Sequence, residues 1–288
     1  MIEELKEQYG HLSKGHRRIA DYVAENAESA AFLTAAKLGE ACGVSESTVV
    51  RFAMRLGYDG YGDFQKALAD EVKDRLIPPK VNQTMRLKED PSELMRKVLV
   101  RDAQNIVDSI HMVSATSFDT AVDLLKEAPH VYILGIRSCA PLAQYFSYYL
   151  GLMRKNVISL SSNNVNELFE QLAWLEQGDA VVGISFPRYS LRTLKAMDYA
   201  NSRGARLITI TDSEYSPMNM YSSCNLWVRS DMITLVDSMV APMSLINSLI
   251  VALYMRDQDR INEYLGRMEE IWDNYQTYAS DDLSEPGE

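Results

Sequence analysis

The sequence predicts an α + α/β protein, with an all-helical front half and, behind it, a three-layer domain built on a parallel five-stranded sheet. Three observations predict this. At 288 residues the chain exceeds the size of one compact core, since domains run to roughly 150 residues. Apolar residues between 12 and 75 recur at helical spacing, with no strand-like alternation. Behind residue 91, short β-branched runs alternate with helical segments, the pattern of parallel strands covered on both faces.

In the front half the periodic positions are Leu12, Ile19, Tyr22 and Val23, then Leu38, Ala41 and Cys42, then Val49, Phe52 and Leu56. Gly43 permits a sharp turn and Val44 plugs the angle, so the last two sets read as short helices crossing steeply. Ser45 stands where an N-cap is needed and Gly57 where a helix stops, which predicts a second helix from Glu46 to Leu56. With Val49, Phe52 and Leu56 inward, that helix turns Ser47, Arg51 and Arg55 outward, with Thr48 beside them. Small hydroxyl residues let a helix enter a major groove, and Arg reads guanine or grips phosphate. The predicted DNA-binding set is therefore Ser45, Ser47, Thr48, Arg51 and Arg55; the competing reading is a solvated helix face.

From Leu76 to Pro91 two adjacent prolines and polar residues without periodicity read as a linker. The predicted division is a helical domain over 1–76, a linker over 77–91, the α/β domain over 92–280 and an acidic tail over 281–288. Strands are expected at 131–134, 157–160, 180–184, 207–211 and 226–228. The most apolar stretch, from Met239 to Met255, contains Pro242, Ser244, Asn247 and Ser248 and is short of the roughly 20 apolar residues that span a bilayer, so a buried helix and no membrane contact are expected.

Composition narrows the function. Apolar residues make up 47% and charged residues 24%, as in ordinary globular proteins. Cys42, Cys139 and Cys224 are odd in number and widely separated, so neither disulfides nor a metal site is expected, and a reducing cytoplasm fits. The acidic start Met1-Ile2-Glu3-Glu4 is unlike a signal peptide. A net charge of −11 opposes nucleic-acid binding, and residues 1–76 hold ten basic against thirteen acidic side chains. Arrangement answers this if Lys14, His16, Arg17, Arg18, Lys37, Arg51, Arg55 and Lys66 gather on one side, because local field steers phosphate.

The segments Leu12-Ser13-Lys14-Gly15-His16-Arg17-Arg18-Ile19-Ala20-Asp21-Tyr22-Val23, Leu38 to Phe52 and Leu56-Gly57-Tyr58-Asp59-Gly60-Tyr61-Gly62-Asp63-Phe64 resemble the N-terminal domain of RpiR-type bacterial transcription regulators. The resemblance implies that the α/β half is a sugar isomerase (SIS) type domain sensing phosphorylated sugars, that the DNA partner is a double-stranded operator, and that no cofactor is needed. The absence of a GxGxxG or Walker loop agrees with the last point.

In an open parallel sheet, ligands sit beyond the C-terminal strand ends, where helix N-termini offer amides to anions. After the first strand comes Gly135-Ile136-Arg137-Ser138-Cys139, after the third Ser185-Phe186-Pro187-Arg188-Tyr189-Ser190. Against the SIS patterns GxGxS and SxSGxS/T, Arg137 and Arg188 each replace a glycine, Cys139 a serine and Pro187 a serine. The predicted ligand set is Gly135, Arg137, Ser138, Cys139, Ser185, Arg188 and Ser190, with two guanidiniums suited to phosphate or carboxylate; the competing reading is that they make internal salt bridges. Ser161, Ser162, Asn163, Asp212 and Ser213 are secondary candidates.

An isomerase needs a base beside a carbonyl. Of the histidines, His11 and His16 lie in the front half, His111 precedes the sheet and His130 starts the first strand; Glu167 alone is placed to approach. The expected function is therefore a DNA-binding regulator of carbohydrate metabolism that binds without turnover and reads its operator as a homodimer or homotetramer, with a sugar-phosphate isomerase bearing an accessory helical domain as the alternative. A structural protein using its helices for partners is the third possibility, disfavoured by the turn glycine and the outward Ser47, Thr48, Arg51 and Arg55.

Overall fold

A computed structural model describes residues 9–76, 90–161, 164–222, 224–231 and 237–275. The front domain contains α1 (Lys14–Glu25), a single turn α2 (Ala27–Ala30), α3 (Ala35–Cys42), α4 (Glu46–Arg55) and α5 (Tyr61–Leu76). Its core is one cluster in which Ile19 and Val23 of α1, Leu38 of α3, Val49 and Phe52 of α4 and Phe64 and Leu68 of α5 are fully enclosed. Each such side chain contributes about 1.5–3 kcal/mol by leaving water. Phe52 and Phe64 meet edge to face with centroids 5.6 Å apart, which ties α4 to α5.

The crossing of α3 and α4 needs two glycines. Gly43 holds φ 62°, the left-handed conformation that a side chain disfavours, and its N–H closes α3 on Glu40. Gly39 was not singled out from sequence, yet a Cβ there would stand 2.8 Å from the Val44 carbonyl oxygen. The inner face of α3 also differs from expectation. Cys42 is buried and Ala41 exposed, because the i, i+4 pair Leu38 and Cys42 faces the core.

In the second domain α6 (Pro91–Ile110) and α7 (Ala115–Glu127) precede β1 (Val131–Gly135), α8 (Ala140–Gly151), β2 (Val157–Leu160), α9 (Val165–Leu172), β3 (Ala180–Ile184), α10 (Leu191–Ser202), β4 (Arg206–Thr211), β5 (Cys224–Trp227), α11 (Val240–Arg256) and α12 (Gln258–Asn274). All five strands are parallel, in the order β2-β1-β3-β4-β5. Ile133, Val182, Ile208 and Leu226 pack one face onto α7, α8 and α11, while Leu134, Val181 and Leu207 pack the other onto α9 and α10. Central β1 and β3 are buried along their whole length, which is why they read as unbroken apolar runs.

Pro91, expected at the end of the linker, is instead the first residue of α6, with Asp90 as its N-cap. Residues 77–89 and the expected acidic tail 281–288 lie outside the described residues. No helix among the described residues is long and apolar enough to cross a membrane.

Candidate recognition helix and anion pocket

Ser45 caps α4 by accepting the Thr48 N–H at 3.3 Å, and its hydroxyl lies 3.0 Å from that of Ser47 and 2.8 Å from that of Thr48. The N-terminus of α4 therefore presents a small, hydroxyl-rich tip. Ser47, Arg51 and Arg55 are exposed and Thr48 half-buried, so the expected set shares one outward face. Arg51 Nε donates to the Ser47 carbonyl at 3.2 Å, which lays the side chain along the helix.

The surrounding cations divide. His16 packs edge to face on Phe52 at 5.6 Å, and burial, then Arg55, then Arg51 hold its pKa below the ordinary imidazole value. It therefore lies close to the two arginines of α4. Arg18 donates to the Gly43 carbonyl at 3.1 Å and Arg17 to that of Gly10 at 3.0 Å, so both brace the fold. Lys37 departs from the expected gathering. It leaves the α4 face and reaches the second domain, donating to Asp198 at 2.9 Å.

At the C-terminal edge of the sheet, Ile136, Arg137, Ser138, Cys139, Ser185, Phe186, Pro187, Arg188, Ser190, Asp237 and Met239 enclose a cavity of about 480 Å³. It opens between β1 and β3, neighbours whose onward connections run to opposite sides of the sheet, where doubly wound folds hold ligands. Every residue of the expected ligand set lines it except Gly135, which acts one step back. A Cβ on Gly135 would stand 2.5 Å from the Cys139 carbonyl oxygen, so glycine lets the chain fold back into a 3-10 turn, Arg137–Cys139.

Within the cavity the polar groups differ in availability. Ser190 caps α10 by accepting the Thr193 N–H at 3.4 Å, and Ser185 Oγ accepts the Ser190 N–H at 3.4 Å, so both hydroxyls also shape the loop. Cys139 is enclosed, its thiol pushed up to about 11 chiefly by burial, which leaves it protonated at neutral pH. Arg137 and Arg188 are exposed, and among the described residues no carboxylate is paired with either. Both hold left-handed backbone, φ 60° and 63°.

Asp237 was not anticipated from sequence. It follows the last strand, and Ser138 Oγ donates to it at 3.5 Å. Of the secondary candidates, Ser162 and Asn163 lie outside the described residues. Ser161 accepts from Gln144 and Ser159, and Asp212 accepts the Tyr189 hydroxyl at 2.6 Å; neither lines the cavity, nor does Ser213. Glu167 sits in the first turn of α9, outside the lining. His130 bonds Asp179 at the opposite edge of the sheet, with Nδ1 to Oδ1 2.9 Å. Among the described residues no three His, Cys, Asp or Glu side chains are grouped to hold a metal ion.

Comparison with known proteins agrees with both halves. Residues 1–75 match the helix-turn-helix domain of the rpiR family and residues 124–252 the SIS domain. The chain is 24% identical over 277 residues to the HTH-type transcriptional regulator HexR of Escherichia coli, covering 94% of this chain and 93% of that one. An uncharacterized HTH-type transcriptional regulator of Haemophilus influenzae is 23% identical over 224 residues, 77% of each chain. Among solved structures, the Vibrio vulnificus NanR protein complexed with ManNAc-6P shares the fold with a TM-score of 0.63 at 20% identity, over 97% of this chain and 99% of that one. The sugar isomerase domain of an RpiR transcription factor from Sphaerobacter thermophilus superposes with a TM-score of 0.60 at 23% identity, over 62% of this chain and 99% of that one.

A helix-turn-helix domain followed by a SIS domain defines the class: a transcription regulator that carries a SIS-type α/β module on the same chain. Within that class, the chain belongs to the RpiR-type transcription regulators.

Proposed function

We propose that the chain binds a two-fold operator through α4 as a homo-oligomer in the cytoplasm, and that a phosphorylated sugar between the β1 and β3 loops sets its operator affinity. The observation that carries this reading is the pair Arg137 and Arg188, two exposed guanidiniums lining one cavity with no carboxylate paired to them among the described residues. An anion there gains charge-assisted hydrogen bonds and meets the N-terminal ends of α8 and α10. Ser138 and Asp237 are the sugar-facing groups, able to exchange hydrogen bonds with hydroxyls. NanR is known with a sugar phosphate, ManNAc-6P, bound on the same fold, which supports the ligand class.

Thermal melting against a panel of hexose phosphates tests this directly. A true ligand at 100 times its dissociation constant adds about 2.7 kcal/mol, whereas the matching unphosphorylated sugar adds little. A panel in which no phosphorylated sugar raises the melting temperature defeats the reading.

Asp237 favours the isomerase as the second reading, because it puts a carboxylate where a proton could be moved. Binding without turnover remains the proposal, since among the described residues no histidine lines the cavity and Asp237 is the one carboxylate there. NMR of a bound hexose 6-phosphate incubated with the protein separates the two: unchanged sugar supports the regulator, a growing ketose or aldose signal the isomerase.

A further inference from the structure

We infer that Phe32 and Lys37 latch the helix-turn-helix domain onto the rim of the anion pocket, and that the 185–190 loop with α10 carries pocket occupancy to the DNA-binding domain. This rests on the ligand reading above and adds the route by which that ligand acts.

The contact joins residues distant in sequence. Phe32, just before α3, meets Tyr189 edge to face, with centroids 6.1 Å apart and planes at 89°. Lys37, one turn into α3, donates to Asp198 of α10 at 2.9 Å and places its ammonium 3.7 Å from the centre of the Tyr221 ring. Phe32 packs into the same apolar cluster as Leu194, Met197 and Ala200 of α10. The first helix of the helix-turn-helix pair and the residue leading into it are thus tied to the 185–190 loop and to α10.

That loop and helix also reach the ligand. Arg188 lines the pocket and is followed at once by Tyr189, which is buried and whose hydroxyl donates to Asp212 at 2.6 Å. Ser190 lines the pocket and starts α10, which carries Asp198. Arg188 occupies the left-handed well, so any move of its backbone into an ordinary well redirects the chain at Tyr189. An anion that draws on the Arg188 guanidinium therefore acts one peptide bond from the ring that touches Phe32.

The latch leaves the reading face open, since Ser47, Arg51 and Arg55 are exposed while it is closed. Its effect is on orientation. It sets where α4 points relative to the second domain, and in a symmetric dimer that fixes the separation of two recognition helices. Sites coupled through such contacts typically shift one another's affinity 5–150-fold.

Hydrogen exchange on the full chain, with and without glucose 6-phosphate, fructose 6-phosphate or ManNAc-6P tested singly, is the experiment. The expected result is slowed exchange at 135–139 and 185–190 together with altered exchange across 32–42. In Lys37→Met and Phe32→Ala the pocket response persists and the 32–42 response is lost; Lys37→Met keeps the aliphatic stem and serves if Phe32→Ala fails to fold. On a duplex selected from random sequence, the ratio of operator affinities with and without the sugar then falls to within about twofold of unity in both variants. Pocket protection without any change at 32–42, or an unchanged ratio in both variants, overturns the latch and leaves the ligand reading standing. No protection at the pocket from any of the three sugars overturns the ligand reading, and the latch with it.

Discussion

Arg137 and Arg188 adopt the same backbone conformation, φ 60° and 63°, on two loops that face each other across one cavity. In SIS-type loops these are glycine positions, and the structure shows the reason: the chain turns through the left-handed region there. An L-residue in that well costs about 1–2 kcal/mol, and glycine returns roughly 0.5–1 kcal/mol of that through its freer unfolded chain. Arg188→Gly and Arg137→Gly should each raise stability by roughly 0.5–1 kcal/mol, read as a higher urea midpoint, while weakening a phosphorylated sugar far more than its neutral parent. Equal loss for both sugars in calorimetric titration would refute the anion clamp.

Arg51→Ala should cost about 1–3 kcal/mol of operator binding if the side chain reads a base edge. The melting temperature should not move, because Arg51 is exposed and among the described residues bonds only its own helix. Gel-shift titration with circular dichroism on the same sample checks both. An unchanged affinity and base preference would remove α4 from the role of recognition helix.

His16 makes stability depend on mild acid. Its pKa is lowered in the folded chain by burial, Arg55 and Arg51, so below the unfolded value of about 6.5 the unfolded chain takes up a proton that the folded chain resists. Its contribution is complete above that pH and is lost as pH falls towards its depressed folded value. His16→Gln should therefore flatten the acid limb of the stability profile between pH 7 and 5, and an identical slope in both proteins would exclude His16 as its source.

The proposed assembly would cover exposed apolar surface. Leu99, Val100 and Ile110 on α6, Tyr148 on α8, and Val251 and Met255 on α11 are large apolar side chains left in solvent in the single chain. A homodimer or homotetramer that covers them should protect two half-sites one or more helical turns apart, about 34–36 Å per turn. Val251→Glu with Leu99→Glu should yield a monomer by light scattering and weaken a two-half-site operator by at least a hundredfold. A wild-type monomer protecting one half-site would contradict the arrangement.

Much of this was legible along the chain because local chemistry announces it. A serine before Glu46, a glycine after Cys42 and five apolar runs between helices mark cap, turn and strands without reference to anything distant. Asp237 was not legible: it joins the pocket only because it lies beside Ser138, 99 residues away in sequence, a relation no spacing encodes. Lys37 reads as one more exposed cation, and only the docking of the two domains shows it facing Asp198 rather than phosphate. The left-handed turns at Arg137 and Arg188 were hidden for the opposite reason, since arginine does not advertise positive φ and the SIS patterns alone mark those positions as glycines.

The sheet behind the pocket and the pocket's walls answer to different demands. Ile133, Leu134, Val182 and Ile184 are wholly enclosed in the sheet and hold the strand ends in place, whereas Arg137, Ser138, Pro187 and Arg188 project from loops and support none of that packing. The wall residues can thus be exchanged, by selection or by design, with little penalty to folding. Operators could be kept and effectors swapped through a handful of codons, which makes this edge of the sheet the natural place to retune the protein as a biosensor.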